Sequence, residues 1–308
     1  MIRIDLHAHV VPSRYRDRLA ANADEVALVV PGPEQLLADM ERWRIDGCVI
    51  SLGGNVQAGS DDAALVRLVN EGLADLVREQ PHRLAAIASL PLPDVDASLR
   101  ELEYALDTLD LDGVLLLSNS RGVYLGDRRL DPLFEELNRR GVYCFVHPDF
   151  PPAQPLPHPG RWYEFPFDTT RAMVHMALNG AFDRYPDVRM QWAHLGGTIP
   201  FLAHRISSQA SRMADVTAGA AEPDLMTYFQ RQWYDSGLSP HYGLVAAARD
   251  IVPIEKLVFG TDWPWFPRPA SGDDPQPQLA AVGPDRTKID WENARELVPR
   301  FVRRVTAG

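Results

Sequence analysis

The chain has 308 residues, 45% of them hydrophobic and 24% charged, so it can bury a large core without covalent staples. A net charge of −11 speaks against a nucleic-acid partner, and no apolar run approaches the ~18 residues of a membrane span. Two cysteines, Cys48 and Cys144, cannot build a disulfide framework and lie in apolar strand-like runs, as expected for reduced thiols in a cytoplasmic protein.

Short apolar runs alternate with longer segments whose apolar residues recur at i, i+3 and i+4. The predicted strands are 2–7, 47–52, 84–90, 113–117, 142–147, 188–194, 232–236 and 257–262. The predicted helices are 33–43, 61–80, 94–109, 131–140, 168–184, 199–213, 240–250 and 290–305, several of them opening on proline or an acidic residue. Strands almost continuous in apolar residues imply a parallel sheet covered on both faces. Eight such units without a linker-like break read as a single (β/α)8 TIM barrel over residues 1–308. Two Pro-rich stretches, 148–166 and 263–288, follow the fifth and eighth strands. Both are expected as long loops at the C-terminal rim, where barrels of this kind build their active sites.

Of nine histidines, His82, His158 and His241 sit in turn-like contexts, and His175 and His204 in helical patterns; none of these is assigned chemistry. The other four fall at strand ends. His7 and His9 close the first strand in D-L-H-A-H, and residues i and i+2 of an extended strand face the same way. His147 ends the fifth strand, His194 the sixth and Asp262 the eighth. Five metal-competent groups at strand C-termini point to one site inside the barrel mouth. Imidazoles with one carboxylate suit Zn²⁺, with Mn²⁺ or Fe²⁺ as alternatives, and one of the five is free to act as acid or base. Asp5, predicted on the same side as His7, is either a support for the ligands or a polar residue of the barrel floor.

The motifs D-x-H-x-H, H-P, H-x-G-G and G-T-D-W-P, each after its own strand, resemble the amidohydrolase superfamily over essentially the whole chain. The segments SRGVYLGD, EFPFDTTRA and HLGGTIPFLAHRI resemble its decarboxylase branch, typified by aminocarboxymuconate-semialdehyde and γ-resorcylate decarboxylases. The resemblance implies His7, His9, His147 and Asp262 as metal ligands and His194 as the neighbouring acid/base. It also implies that Arg205 reaches a neighbouring subunit's pocket to bind a substrate carboxylate, hence a homodimer or larger homo-oligomer. Dinuclear members bridge their metals with a carboxylated lysine on the fourth strand. Of the 31 basic residues only Lys256 and Lys288 are lysines, leaving 29 arginines, and neither lysine is near that strand. A mononuclear centre is therefore expected, and the glutamate of the deaminase motif is missing after both His147 and His194.

The expected reaction is non-oxidative decarboxylation of a 2-hydroxybenzoate-like or unsaturated carboxylic acid. Asp262 and His194 handle the proton, and Trp162, Phe167 and Trp263 are candidate walls for a flat ring. The alternative is hydrolysis of a lactone or amide by a metal-bound hydroxide at the same site.

Overall fold

A computed structural model describes residues 2–21, 31–53, 63–152, 160–210, 225–266 and 272–307. Its eight parallel strands are β1 (Ile4–His9), β2 (Gly47–Ser51), β3 (Leu84–Ala88), β4 (Gly113–Leu117), β7 (Tyr143–His147), β8 (Arg189–Trp192), β9 (Trp233–Asp235) and β10 (Leu257–Val258). A two-stranded hairpin, β5 (Asn119–Ser120) and β6 (Val123–Tyr124), sits on the rim after β4. Neighbouring barrel strands pair in chain order. Closure comes from backbone bonds between β1 and the segment after β10: Leu6 N to Phe259 O (3.0 Å), Asp262 N to His7 O (2.8 Å) and His9 N to Trp263 O (2.8 Å). The chain is thus a (β/α)8 barrel, as its alternation of patterns predicts.

The helices are α1 (Ser13–Ala21), α2 (Pro33–Arg42), α3 (Ala63–Glu79), α4 (Val95–Glu103), α5 (Asp131–Arg140), α6 (Arg161–Leu178), α7 (Ala181–Arg184), α8 (Ile199–Ala210), α9 (Leu225–Arg231), α10 (Tyr242–Arg249), α11 (Ala294–Leu297) and α12 (Pro299–Ala307). The larger apolar cluster lies between strands and helices, with Trp43, Leu73, Phe134 and Trp192 at its centre. A second cluster takes alternate strand residues, among them Val49, Ile87, Leu115, Tyr143 and Phe145, into the barrel interior. Phe301 and Val302 of α12 join it and close the N-terminal end of the barrel. Gly47 permits that approach, because a Cβ there would lie 2.6 Å from Val305 and 2.8 Å from Phe301.

Several boundaries depart from the sequence pattern. The Pro-rich segment 148–166 is not loop to its end, because α6 begins at Arg161 and carries Pro166 inside it. The expected helix 168–184 breaks at Gly180, whose φ of 66° no helix accommodates. The expected helix 290–305 becomes a π-helical turn and two short helices, with Pro299 opening the last. α1, α9 and the hairpin have no counterpart among the predicted elements. No helix among the described residues is long and apolar enough to cross a membrane. His158 lies outside the described residues. His241 caps α10, its Nδ1 accepting from Gly243 N at 3.2 Å.

Candidate active site

β1 carries the first two imidazoles, and it does so through a bulge. Ile4 and Asp5 pair with Gly47 and Cys48, whereas Ala8 and His9 pair with Ile50 and Ser51, so one extra residue is taken up between Asp5 and Ala8. Ile4 and Leu6 belong to the interior cluster, and after the bulge His7 and His9 face inward too. Asp5 therefore does not share a side with His7, contrary to the simple alternation. Its Oδ1 accepts from the backbone N–H of His7 (2.9 Å) and Thr261 (3.0 Å), and its Oδ2 from the Thr261 hydroxyl (2.6 Å). That carboxyl ties β1 to the residue preceding Asp262. Burial pushes it up to about 6, against these hydrogen bonds.

His7, His9, His147 and Asp262 each offer a ligand atom, and all four atoms lie within 4.8 Å of one another, buried. The three rings stand nearly perpendicular, at 82° (His7 to His9), 87° (His7 to His147) and 89° (His9 to His147). Each Nδ1 faces outward to a partner. His7 donates to Asp235 Oδ1 (3.1 Å) and His147 to the Pro148 carbonyl (2.8 Å), since neither oxygen can donate. Ser51 Oγ donates to the Ala8 carbonyl (3.4 Å) and so accepts from His9 Nδ1 (3.1 Å). This leaves the three Nε2 atoms facing inward, with those of His7 and His9 only 3.1 Å apart. Asp262 Oδ1 lies 3.2 Å from His7 Nε2 and 3.1 Å from His9 Nε2, yet its geometry leaves it without a hydrogen bond. Inward nitrogens crowded around an orphaned buried carboxylate oxygen form a donor set that fits one divalent cation.

The electrostatics agree. Burial pushes the His7 imidazole down, but the carboxylates of Asp235 and Asp262 outweigh it and hold the ring up at about 10. Burial lowers His9, and lowers His147 further. Asp262 is buried, which alone would raise it, but His7, His194 and His9 hold it well below the carboxylate range.

His194 completes the site. It follows β8 in a sharp turn in which His194, Leu195, Gly196 and Gly197 all have positive φ (56°, 54°, 72° and 68°). Its Nε2 lies 3.1 Å from Asp262 Oδ2, so the carboxylate that faces the imidazole cluster through Oδ1 meets a fourth imidazole through Oδ2. Asp262 itself has φ 64°, which turns its side chain into the mouth.

Sequence reasoning missed Asp235. It ends β9 and is fully buried, and its position at a strand C-terminus, the same as that of His147, could have marked it. Its carboxylate is held below the usual range, because His7 outweighs the effect of burial. Of the candidate substrate residues, Trp263 is corrected: it is 1% exposed and its Nε1 donates to Asp39 on α2 at 2.9 Å, so it packs the rim. An isolated parallel bridge between Ala8 and Trp263 ties this residue to β1. Trp162 is 86% exposed on the first turn of α6. Phe167 lines a surface cavity of about 470 Å³ with Tyr124, Arg171 and Val174, a lining that contains no member of the cluster. Arg205 is exposed on α8. The aromatic surface beside the cluster comes instead from Phe165, 5.9 Å from His147 between ring centres, and from Phe150 packed against Phe165 at 5.1 Å.

The family model described as Amidohydrolase matches residues 4–300. A 6-methylsalicylic acid decarboxylase from Penicillium expansum is 30% identical, with 98% of this chain and 97% of the relative covered. A gamma-resorcylate decarboxylase from Polaromonas is 27% identical over 84% of each chain. Among solved structures, a dihydroxybenzoic acid decarboxylase from Polaromonas, with bound manganese and 2-nitroresorcinol, superposes with a TM-score of 0.76 at 21% identity, covering 96% of each chain.

Proposed function

The chain belongs to the amidohydrolase family, and on that footing we propose that it is a metal-dependent, non-oxidative decarboxylase of an aromatic acid of the 2-hydroxybenzoate type. The full-length similarity to a decarboxylase of a methylated 2-hydroxybenzoate carries the reading, and a donor set able to hold a cation beside a paired carboxylate and imidazole agrees with it.

His7, His9 and His147 would hold a single divalent ion through their inward nitrogens, and Asp262 would hold it through its carboxylate. Zn²⁺ is the first choice for three imidazoles and one carboxylate, and Mn²⁺ the second. When bound, the ion supplies positive charge that gathers the substrate's carboxylate and neighbouring phenolic oxygen. His194 Nε2 and Asp262 Oδ2 share a proton and deliver it to the ring carbon that carries the carboxylate. That carbon gains a C–H bond and loses aromaticity. The C–C bond to the carboxylate then breaks, its electron pair returns to the ring, and CO2 leaves. Solvent restores the proton to the His194–Asp262 pair. Phe150 and Phe165 offer the ring a dry wall. Residues 1–308 act as one catalytic barrel domain in the cytoplasm, in keeping with two buried free thiols. The working unit is a homodimer or larger, in which Arg205 offers positive charge to a neighbour's substrate.

The test is CO2 release from 6-methylsalicylate and 2,6-dihydroxybenzoate by protein loaded with Zn²⁺ or Mn²⁺. Chelation abolishes it, and His194→Ala lowers kcat by ~10²–10⁴ while the metal stays bound. Hydrolysis of an aryl lactone without CO2 release from any hydroxybenzoate would overturn the reading in favour of a hydrolase.

A further inference from the structure

Asp262 links the imidazole cluster to His194 from the mouth side, and Asp235 links the same two parts from behind. Asp235 Oδ1 accepts three hydrogen bonds: from His7 Nδ1 (3.1 Å), from the backbone N–H of His194 (3.1 Å) and from Gly237 N (2.9 Å). Its Oδ2 accepts from Gln191 Nε2 at 2.9 Å. Gln191 is itself fixed, because its Oε1 accepts from the Tyr143 hydroxyl at 2.8 Å. The carboxylate therefore has no freedom to rotate, and all its donors are buried.

Room for this arrangement is written into two glycines. A Cβ on Gly237 would stand 2.7 Å from His7 Nδ1 and 2.8 Å from Asp235 Oδ1. A Cβ on Gly260 would stand 2.8 Å from His7 Cβ and 3.0 Å from Asp235 Cβ. Both positions close on the same pair of side chains.

The two contacts do different things. The bond to His7 Nδ1 fixes the ring's tautomer and turn, which keeps Nε2 aimed into the donor cluster. The bond to His194 N holds the first residue of a turn that runs through two left-handed non-glycine residues, and such backbone persists only where surrounding contacts impose it. The direction of the His194 ring toward Asp262 Oδ2 depends on that backbone.

We infer that Asp235 is a positioning residue that couples the two halves of the site, one carboxylate oxygen setting both a metal ligand and the proton-handling histidine. The role assigned to His194 rests on the decarboxylase reading; the role assigned to His7 does not.

Asp235→Asn keeps the shape and removes the charge. Titration of the ion-free variant with Zn²⁺ against a competing chelator should show affinity weakened by about 10–100-fold relative to wild type. At saturating Zn²⁺, kcat for the hydroxybenzoate should still fall by at least about tenfold, with KM little changed, because the defect also lies in His194. His194→Ala, by contrast, should lower kcat and weaken Zn²⁺ affinity less than Asp235→Asn does, because it leaves the three ligand imidazoles and their Nδ1 partners in place. Wild-type Zn²⁺ affinity in Asp235→Asn overturns the inference. So does a full return of kcat once the metal is saturated. If Asp235→Asn does not fold, Gly237→Ala pushes between the same two atoms and should show the same double defect; a Gly237→Ala protein with normal Zn²⁺ affinity overturns the inference equally. Failure of wild-type protein to release CO2 would sink the decarboxylase reading, while the affinity measurement would still judge Asp235.

Discussion

His194 and Leu195 hold left-handed backbone without the licence that glycine enjoys, and each such residue costs on the order of 1–3 kcal/mol. The next two positions show how the turn is accommodated. A Cβ on Gly196 would lie 2.4 Å from the Tyr234 ring, and one on Gly197 would lie 2.1 Å from the Pro166 carbonyl oxygen. The glycines of H-x-G-G are thus steric necessities of a chain that reverses against α6 just after delivering an imidazole. Gly197→Ala should lower stability by roughly 2 kcal/mol or more in urea unfolding, since both the φ of 68° and the backbone contact oppose a methyl group. Activity should fall with it, because relief of the clash has to move the turn that carries His194. A Gly197→Ala protein with unchanged urea midpoint and kcat would show that the turn relaxes freely.

Among elements, β1 departs furthest from its ideal, and the departure makes the site. Strict alternation would place Asp5, His7 and His9 on one face. The bulge separates them, so Asp5 anchors the barrel seam through Thr261 while the two histidines keep the interior. α6 shows the opposite case, a helix that forms through a proline: Pro166 forfeits one backbone bond, yet its carbonyl still accepts from Thr170 Oγ1 at 2.8 Å. α5 follows its sequence from end to end, with Pro at its start and Gly141 in left-handed conformation after it. Its Glu136 bonds Arg139 and Arg140, which hold the carboxyl down at about 2 against an ordinary 4.5. A depressed folded-state pKa contributes stability above pH 4.5 that is lost as pH falls toward about 2. The side chains are partly exposed, so the gain is at most about 1 kcal/mol. Glu136→Gln should therefore be slightly less stable than wild type at pH 7, and the gap in urea midpoint should narrow between pH 4.5 and 3. A gap that stays constant over that range would show that the charge plays no part.

For the whole molecule, a net charge of −11 is a poor background for an anionic substrate, so positive charge has to be concentrated at the mouth. A cation in the cluster of His7, His9, His147 and Asp262 would supply part of it. Arg205 of a neighbouring copy is proposed to supply more, and it shares α8 with the exposed ring of Phe201, four residues earlier. Arg205→Glu should shift the sedimenting species toward monomer and raise KM for the carboxylate substrate; a dimer of unchanged mass and unchanged KM would remove Arg205 from the interface. The amino-acid sequence by itself determined the barrel and most of its metal-competent groups. Eight alternating units leave a parallel sheet few other ways to close, and a ligand at a strand end is local, visible from the strand that carries it. Chain order was legible for the same reason, as with α5 and with β4. What only the tertiary structure decided lies between elements. Asp235 acquires meaning only when β9 comes to lie beside β8 and one carboxylate reaches both His7 and the turn at His194. Trp263 reads as a rim aromatic until Asp39 of a distant helix takes its indole N–H and the side chain is buried. The bulge in β1 leaves no mark in the run IRIDLHAH, because a register shift belongs to a pair of strands and neither strand encodes it alone.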